Sequence, residues 1–316
     1  MNPRRTLVTG AAGFVGSWLV PALRASGREP IGVHLPGLPR GEAPIPWHAC
    51  DLRDRAEVRA LVADTRPDEI VHLAALASPA QAERDPLEAL RSNYLAVDHL
   101  LEALAESAPR ARLLFVSTGE IYGFAPSGAR PWREDDPFRP QTTYAATKAA
   151  GERRIELAVE RAGLDVVIAR PFNHTGPGRP ALYAESSFAQ QLARVERGEQ
   201  EPVLRVGNLD AERDFSDVRD VVAAHLALLE RGESGRAYNV SSGRALRIGE
   251  LLELLIARAR VKPRVEVDPE RWRPLPPGAS SLAGDATRLR ALGWQPRHAL
   301  ADTLGALLER YRESPS

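Results

Sequence analysis

The sequence has almost no cysteine and no net charge. Cys50 is the only cysteine among 316 residues, which excludes an internal disulfide and is compatible with a reducing cytosol. We expect Cys50 to be a small buried residue beside Asp51 rather than a nucleophile, because free thiols are usually buried. The 42 basic and 42 acidic side chains balance. No general field therefore attracts nucleic acid or an anionic membrane, and recognition of anions must be local.

Long apolar runs are missing as well. Gly10 and Gly13 interrupt the only apolar stretch near the N-terminus, so no signal peptide is expected there. No run approaches the roughly 20 residues of a membrane helix. The chain has no internal repeats, no G-x-S-x-G element of a hydrolase, and no metal-ligand spacing among its histidines and single cysteine. These absences predict a soluble cytoplasmic protein without a metal site.

Short apolar runs alternate with longer helical patterns in the first half of the chain. Such alternation is typical of a parallel sheet covered on both faces, the doubly wound α/β (Rossmann) architecture. The predicted strands are residues 5–10, 29–35, 46–50, 68–75, 111–118 and 164–170, and the predicted helices are residues 14–26, 54–64, 86–107 and 144–162. Later helices are predicted at residues 185–196, 217–231, 248–258 and 300–314. We expect a dinucleotide-binding domain over residues 1–170. Residues 171–316 should form a smaller, mainly substrate-binding α/β cap whose chain crosses back to the sheet.

The first strand runs into a glycine-rich turn. Gly10, Gly13 and Gly16 form a G-x-x-G-x-x-G pattern between this strand and the following helix. Glycine allows the tight turn and the close approach of backbone N–H groups to a pyrophosphate, which the helix N-terminus then stabilises. The pattern therefore predicts a dinucleotide cofactor.

The adenosine end of this site leaves the choice of cofactor open. NAD sites usually carry an acidic residue at the end of the second strand, but this strand ends Val-His-Leu-Pro at residues 33–36. The missing carboxylate favours NADP over NAD, although the nearest arginine is Arg40. Asp51 follows the third strand, where it can meet the adenine amino group or cap the next helix, and both interpretations stay open.

A second group of residues predicts proton transfer. Tyr144 and Lys148 lie four apart on a predicted helix and so share one face, and Thr118 ends a strand at the ligand-binding edge of the sheet. A tyrosine pKa near 10 is too high for a base at neutral pH. We expect the lysine ammonium, together with the positive ring of an oxidised nicotinamide, to lower it. Tyr144 would then exchange a proton with a sugar hydroxyl or ketone, and Thr118 would orient the same oxygen.

Two further segments carry polar side chains at that edge. Glu120 lies two residues beyond Thr118, as a second acid or base or as a solvated loop carboxylate. The segment RPFNHTGPG, residues 170–178, leaves the last strand with two prolines that stiffen it and two glycines that allow close backbone approach. Its Asn173 offers an amide to a sugar nucleotide. His174 is either a structural imidazole or a ligand contact.

Taken together, the motifs resemble one enzyme family through nearly the whole chain. The extended short-chain dehydrogenase/reductases that act on nucleotide sugars carry similar motifs in the same order. Within them, the chain looks most like GDP-4-keto-6-deoxy-D-mannose reductases, followed by GDP-mannose 4,6-dehydratases. The motifs that carry the resemblance are TGAAGFVG, HLAA, STGEIYG, YAATK, RPFNHTGPG and RDFSDVRD.

The resemblance implies a role for each matching residue. Thr118, Tyr144 and Lys148 would be the catalytic triad, with Glu120 as a possible fourth catalytic group and Lys148 also on the nicotinamide ribose. The cofactor-binding residues would be Gly10, Gly13, Phe14, Val15, Gly16, Asp51, Leu52, Leu73, Ala74, Ala75, Tyr144, Lys148 and His174. The substrate-binding residues would be Asn173, Val206, Arg213 and Arg273.

The sequence departs from the resembled groups at two places. The segment HLPGL, residues 34–38, does not match the arginine-rich segment with which the dehydratases grip NADP. No glutamate follows Arg273-Pro274, where both GDP-mannose groups have one that resembles a ribose ligand. The nucleotide base and the choice between NAD and NADP therefore stay open.

Three functions are compatible with these residues. The first is an NAD(P)H-dependent reductase of a nucleotide-linked 4-keto-6-deoxyhexose, with GDP-4-keto-6-deoxy-D-mannose as substrate and GDP-D-rhamnose as product. The second is a nucleotide-sugar 4,6-dehydratase, for which Glu120 supplies a base, or a 4-epimerase. The third is a dinucleotide sensor without activity, which would not need Thr118, Tyr144 and Lys148.

The predicted helices at residues 86–107 and 144–162 also bear on assembly. Relatives in the resembled family commonly form homodimers through the matching helices. From the residues alone, the same apolar faces could equally belong to the core.

Overall fold

The computed structural model describes residues 3–272, 278 and 280–313. Its strands are β1 (Arg5–Thr9), β2 (Glu29–His34), β3 (Trp47–Ala49), β4 (Glu69–His72), β5 (Arg112–Val116), β6 (Asp165–Pro171), β7 (Asn173–Thr175), β8 (Val203–Val206), β9 (Glu212–Asp217), β10 (Ala237–Val240), β11 (Ala245–Arg247), β12 (Arg264–Val267) and β13 (Ser281–Leu282). Its α-helices are α1 (Phe14–Ala25), α2 (Arg55–Thr65), α3 (Pro79–Arg84), α4 (Pro86–Leu90), α5 (Ala96–Ser107), α6 (Thr143–Ala162), α7 (Ala184–Glu196), α8 (Val218–Arg231), α9 (Ile248–Ile256), α10 (Thr287–Ala291) and α11 (Leu300–Glu313).

Seven parallel strands form the central sheet, in the order β10-β6-β5-β4-β1-β2-β3. This confirms the predicted doubly wound α/β fold. Alternate strand residues point to opposite faces, and both sets are buried: Leu7 and Ile70 contribute to one core cluster, Val8 and Val71 to the other. Because the strands are parallel, the turns after β1, β4, β5 and β6 meet at the carboxyl edge of the sheet.

Helices cover both faces of this sheet. One core cluster joins the sheet to α2, α5 and α6, and the other joins it to α1, α8 and α10. Fully buried residues on these helices carry the contact, for example Val97 and Leu104 on one side and Leu19 and Leu228 on the other. Each side therefore buries a continuous apolar layer, which is the main stabilising contribution to this part of the chain.

The smaller region has its own core. Helices α7, α9 and α11 pack around Phe188, Leu192, Leu251, Leu304 and Leu308. A four-stranded sheet with β9 at its centre lies beside them, where β9 pairs with β7, β11 and β13, and β8 pairs separately with β12. Strand β10 returns to the central sheet, where it pairs with β6. Among the residues that the structure describes, no helix combines the length and apolar character needed to cross a membrane.

The predicted helix at residues 86–107 differs in detail. A π-helical segment, Arg91–Leu95, separates α4 from α5. The buried Asn93 lies in this wide turn, where its Oδ1 accepts from the Leu76 backbone N–H at 2.8 Å and its Nδ2 donates to Thr147 Oγ1 at 3.0 Å. Leu87 and Leu90, at the start of this segment, are 56% and 41% exposed. Single π turns of this kind often lie near functional sites.

Candidate active site

The glycine loop connects β1 to α1 at the carboxyl edge. Gly10 has φ +69°, and a Cβ atom there would lie 2.8 Å from the Ala74 nitrogen. A Cβ at Gly16 would lie 2.5 Å from two carbonyl oxygens. Gly13 is the N-cap of α1 and no side chain caps the helix, so the first N–H groups of α1 are available to an anion. These residues fit the pyrophosphate of a dinucleotide.

A cavity of about 450 Å³ continues from this loop across the ends of β2 and β3. Gly10, Asp51, Leu52, Ala74 and Ala75 line it, so five of the predicted cofactor residues share one wall. Two other predicted contacts, Val15 and Leu73, pack against the core cluster next to α1. The size and lining of the cavity suit the adenosine half of a dinucleotide.

Asp51 does not cap a helix, so that interpretation was wrong. Asp54 is the N-cap of α2 and accepts hydrogen bonds from two backbone N–H groups. Asp51 instead binds the guanidinium of Arg53, which also contacts Glu88 at 2.6 Å. Hydrogen bonding from Arg53 lowers the pKa of Asp51. The carboxylate thus stays ionised on the cavity wall, and Arg53 brings a cation there that the sequence analysis had not identified.

The lone cysteine and the end of β2 complete this wall. Cys50 is buried as predicted, and burial raises the pKa of its thiol to about 12, so it is a poor nucleophile. His34 ends β2 and lines the cavity together with Leu35 and Leu38. Residues 33–38 are all described and include no acidic side chain that a ribose could bind.

The three predicted catalytic residues are buried at the carboxyl edge of the sheet, where the glycine loop also lies. They are Thr118, Tyr144 and Lys148. Thr118 caps the short 3₁₀ helix Gly119–Tyr122, and its Oγ1 accepts from the Glu120 N–H at 3.2 Å. Its hydroxyl hydrogen can therefore donate to another oxygen, and the hydroxyl makes a hydrogen bond with Tyr144. Tyr144 and Lys148 lie one turn apart on α6, and Lys148 Nζ donates to the Val116 carbonyl at 2.7 Å. The three predicted catalytic residues are thus brought together by β5 and α6.

The two ionisable groups of this trio are shifted in opposite directions. Burial raises the pKa of Tyr144, the charge of Glu120 adds to the rise, and a hydrogen bond with Thr118 opposes it. Burial lowers the pKa of Lys148 to about 7, and the charge of Glu152 opposes that shift. We expected a lowered pKa for Tyr144, and for these side chains it is raised. The hydroxyl therefore holds its proton at neutral pH, as a general acid requires.

Glu120 lies near Tyr144 and is buried, so it is not a solvated loop carboxylate. Burial raises its pKa, while Arg213 and a hydrogen bond with Thr142, at 3.5 Å, oppose the rise. Arg213 on β9 faces it, donating to the Glu212 and Ser280 carbonyl oxygens at 2.8 and 3.0 Å and lying over the Phe124 ring. Burial lowers the pKa of Arg213 to about 10, so it remains a cation at neutral pH.

The four remaining predicted residues have different surroundings. Asn173 is half-buried on β7, and its side chain donates no hydrogen bond to a described residue. His174 donates from Nδ1 to the Phe172 carbonyl at 3.0 Å and stacks on Phe14 at 6.1 Å, which favours the structural interpretation. Val206 has no exposed surface and packs in the core around α7, so the expected substrate contact is not supported. Arg273 lies outside the described residues.

The sequence analysis missed a buried polar network under the trio. Arg170, which opens the RPFNHTGPG segment, contacts Glu152 at 2.6 Å and donates to the Tyr122 hydroxyl at 2.7 Å. Tyr122 in turn donates to Asn239 Oδ1 at 2.8 Å. The one available signal was that Glu152 lies four residues after Lys148, on the same face of α6. The network ties the end of β6 to α6 and β10.

The fold described above agrees with comparisons to known proteins. The model of the NAD dependent epimerase/dehydratase family matches residues 6–241. The chain is 36% identical over 306 residues to GDP-6-deoxy-D-mannose reductase of Pseudomonas aeruginosa, covering 96% of both chains.

Solved structures give the same result. RMD from Pseudomonas aeruginosa in complex with NADPH has a TM-score of 0.86 and 34% identity, covering 98% of this chain and 99% of that one. The UDP-glucose 4-epimerase of Thermus thermophilus in complex with NAD has a TM-score of 0.87 and 30% identity, covering 98% and 100%. The chain therefore belongs to the NAD dependent epimerase/dehydratase family, extended short-chain dehydrogenase/reductases that work with NAD(P).

Proposed function

We propose that the chain reduces the 4-keto group of a nucleotide-linked 4-keto-6-deoxyhexose with NAD(P)H. The observation that carries the proposal is the buried Tyr144, which holds its proton beside Thr118 at the edge where the glycine loop lies. Reduction of a ketone needs such an acid at the carbonyl oxygen. The similarity to GDP-6-deoxy-D-mannose reductase over nearly the whole of both chains supports GDP-4-keto-6-deoxy-D-mannose as the substrate.

In this proposal, the glycine loop and the start of α1 hold the pyrophosphate, and the cavity beside Asp51 and Leu52 holds the adenosine. Lys148 would contact the nicotinamide ribose. The bound cofactor supplies the hydride. The absence of a carboxylate at the end of β2 and the NADPH complex of the similar reductase both support NADPH.

Tyr144 donates its proton to the ketone oxygen as that oxygen becomes a hydroxyl. Thr118 would direct its hydroxyl hydrogen to the same oxygen, which orients the carbonyl. Burial of both groups excludes water from the reacting oxygen and strengthens these hydrogen bonds. Arg213 and Asn173, on β9 and β7, are proposed to bind the nucleotide portion of the substrate.

A spectrophotometric assay tests this function. The purified protein should oxidise NADPH stoichiometrically when given GDP-4-keto-6-deoxy-D-mannose. Tyr144→Phe should reduce kcat by about 10² to 10⁴, the usual contribution of a general acid, with NADPH binding nearly intact. Turnover of GDP-mannose or UDP-glucose without net change in nicotinamide absorbance would defeat the reductase assignment. Absence of any turnover would favour the sensor, and full activity of Tyr144→Phe would exclude the proton relay.

Glu120 supports a second candidate, a 4,6-dehydratase. Its buried carboxyl faces Arg213 and lies near enough to Tyr144 to raise the pKa of that residue. Such a group could remove the C5 proton that a dehydratase must take. Incubation with GDP-mannose in deuterium oxide separates the candidates, because a dehydratase would form a 4-keto-6-deoxy product carrying solvent deuterium. A reductase leaves GDP-mannose unchanged.

We further propose that the protein is a cytoplasmic homodimer. Leu87 on α4 and Leu157 on α6 are 56% and 41% exposed, and both helices lie on the same side of the sheet. These exposed leucines support a contact between two copies of the chain through α4 and α6. The balanced charge offers no general attraction for nucleic acid, and the buried free Cys50 is compatible with the cytoplasm.

A further inference from the structure

Arg179 directly follows the RPFNHTGPG segment and occupies an unusual environment. Its guanidinium lies 3.5 Å from the centre of the Tyr183 ring and 5.1 Å from the centre of the Phe14 ring. The side chain is only 12% exposed. Phe14 follows Gly13 of the glycine loop, so Arg179 lies where the cofactor loop meets the smaller region.

The Arg179 guanidinium has N–H groups that are available as hydrogen-bond donors. Its Nε is buried without a hydrogen-bond partner, and the carboxylate of Glu185 lies 3.6 Å away, beyond hydrogen-bond distance. Within the described part of the chain, the guanidinium makes no hydrogen bond apart from this long contact with Glu185. A part-buried arginine normally uses its planar fork on a carboxylate or phosphate. The Arg179 guanidinium is instead held by two aromatic rings and the nearby charge of Glu185. Its N–H groups therefore remain available to an acceptor on a ligand.

The backbone around Arg179 is fixed although its head group is not bonded. Trp18 on α1 donates to the Pro177 carbonyl at 3.1 Å, and the Tyr311 hydroxyl on α11 donates to the Arg179 carbonyl at 2.7 Å. The guanidinium is also close enough to the catalytic tyrosine for its charge to lower the pKa of Tyr144. The charge of Arg179 therefore lies within electrostatic reach of Tyr144, and hydrogen bonds from α1 and α11 fix the backbone around it.

We propose that Arg179 binds a diphosphate group in the active site, through the unused donors of its guanidinium. Two ligands would bring a diphosphate group to the active site, the dinucleotide cofactor and the nucleotide-sugar substrate. The second of these ligands rests on the proposed function. Glu185 serves as the resident counter-ion that keeps the arginine in place between the two rings. Its carboxylate competes weakly, because it lies too far away to hydrogen-bond.

Isothermal titration calorimetry of the intact protein with NADPH, and separately with GDP, tests the assignment without turnover. Arg179→Gln should raise at least one Kd about tenfold or more, since a hydrogen bond to a charged group is lost. Arg179→Lys keeps the charge but loses the fork, so its loss should be smaller. Glu185→Gln removes the competing carboxylate, and it should leave binding equal or tighter. Arg236→Gln, an exposed arginine paired with Glu233 at the opposite edge of the sheet, is the matched control.

The two ligands separate the sources. A weakened NADPH affinity alone assigns Arg179 to the cofactor, and a weakened GDP affinity alone assigns it to the substrate. If Arg179→Gln binds both ligands as the wild type does, the proposal is wrong. It is equally wrong if Glu185→Gln weakens binding as much as Arg179→Gln, because the pair would then be structural. A wild type that binds NADPH but not GDP would contradict the proposed substrate, while the NADPH titration still decides the role of Arg179.

Discussion

Lys148 is the most sharply testable ionisable group of the chain. Only 2% of it is exposed, and burial lowers its pKa to about 7, whereas an unfolded lysine titrates near 10.4. Between these values the unfolded chain binds more protons than the folded one, so the free energy of unfolding rises with pH. Below about pH 6 the lysine is charged in both states and its contribution is constant. The linkage relation gives a rise of about 2 to 3 kcal/mol between pH 6 and 9.

The substitution Lys148→Met removes this contribution, because methionine fills a similar volume without a charge. We expect the unfolding free energy of the variant to exceed that of the wild type by most at low pH. This difference should shrink by about 2 to 3 kcal/mol as the pH rises from 6 to 9. Urea denaturation of both proteins at several pH values measures the difference. Lys262→Met is the control, since Lys262 is exposed and is the only other lysine of the chain. A difference between wild type and Lys148→Met that stays constant with pH would refute the reasoning.

Two other substitutions test the cofactor loop and the dimer. Gly10→Ala should cost about 1–2 kcal/mol of unfolding free energy from the positive φ, and its Cβ would push the loop against Ala74. Its Kd for NADPH should rise about tenfold, and calorimetry showing wild-type affinity would contradict the role of the loop. Leu157→Glu should turn the proposed dimer into a monomer by light scattering, whereas the equally drastic Val267→Glu, at another exposed position, should not. A dimer that survives Leu157→Glu would place the interface elsewhere.

The sequence predicted the central sheet well because its signals are local. Buried parallel strands are short apolar runs, and the helices between them carry apolar residues at helical spacing. The strands of the smaller region lack such signals, although its helices were predicted. Strand β9 reads ERDFSD, and its mostly buried residues include two aspartates whose burial depends on partners far along the chain, such as Ser242 and Thr303. No periodicity in the sequence could have indicated those contacts.

The same reasoning separates the parts of the site that were predictable from those that were not. The spacing of Tyr144 and Lys148 on one helix is local and was recognised. The rise in the pKa of Tyr144 depends on its depth and on Glu120, and the state of Asp51 depends on Arg53. These are properties of side chains that the fold brings together. Arg179 was overlooked because it lies just outside the recognisable motif, RPFNHTGPG at residues 170–178.

Strand β10 has a consequence for how such a protein can be rebuilt. It begins at residue 237 but pairs with β6 in the central sheet, and α8 before it covers Val167 and Ala169. A fragment ending at residue 170 would leave β6 as an open edge with an uncovered apolar face, which favours aggregation. The smaller region therefore cannot be exchanged between relatives as a single cassette. A working chimera needs several junctions, so that α8 and β10 stay with the sheet while the segments around β7 and β9 are replaced.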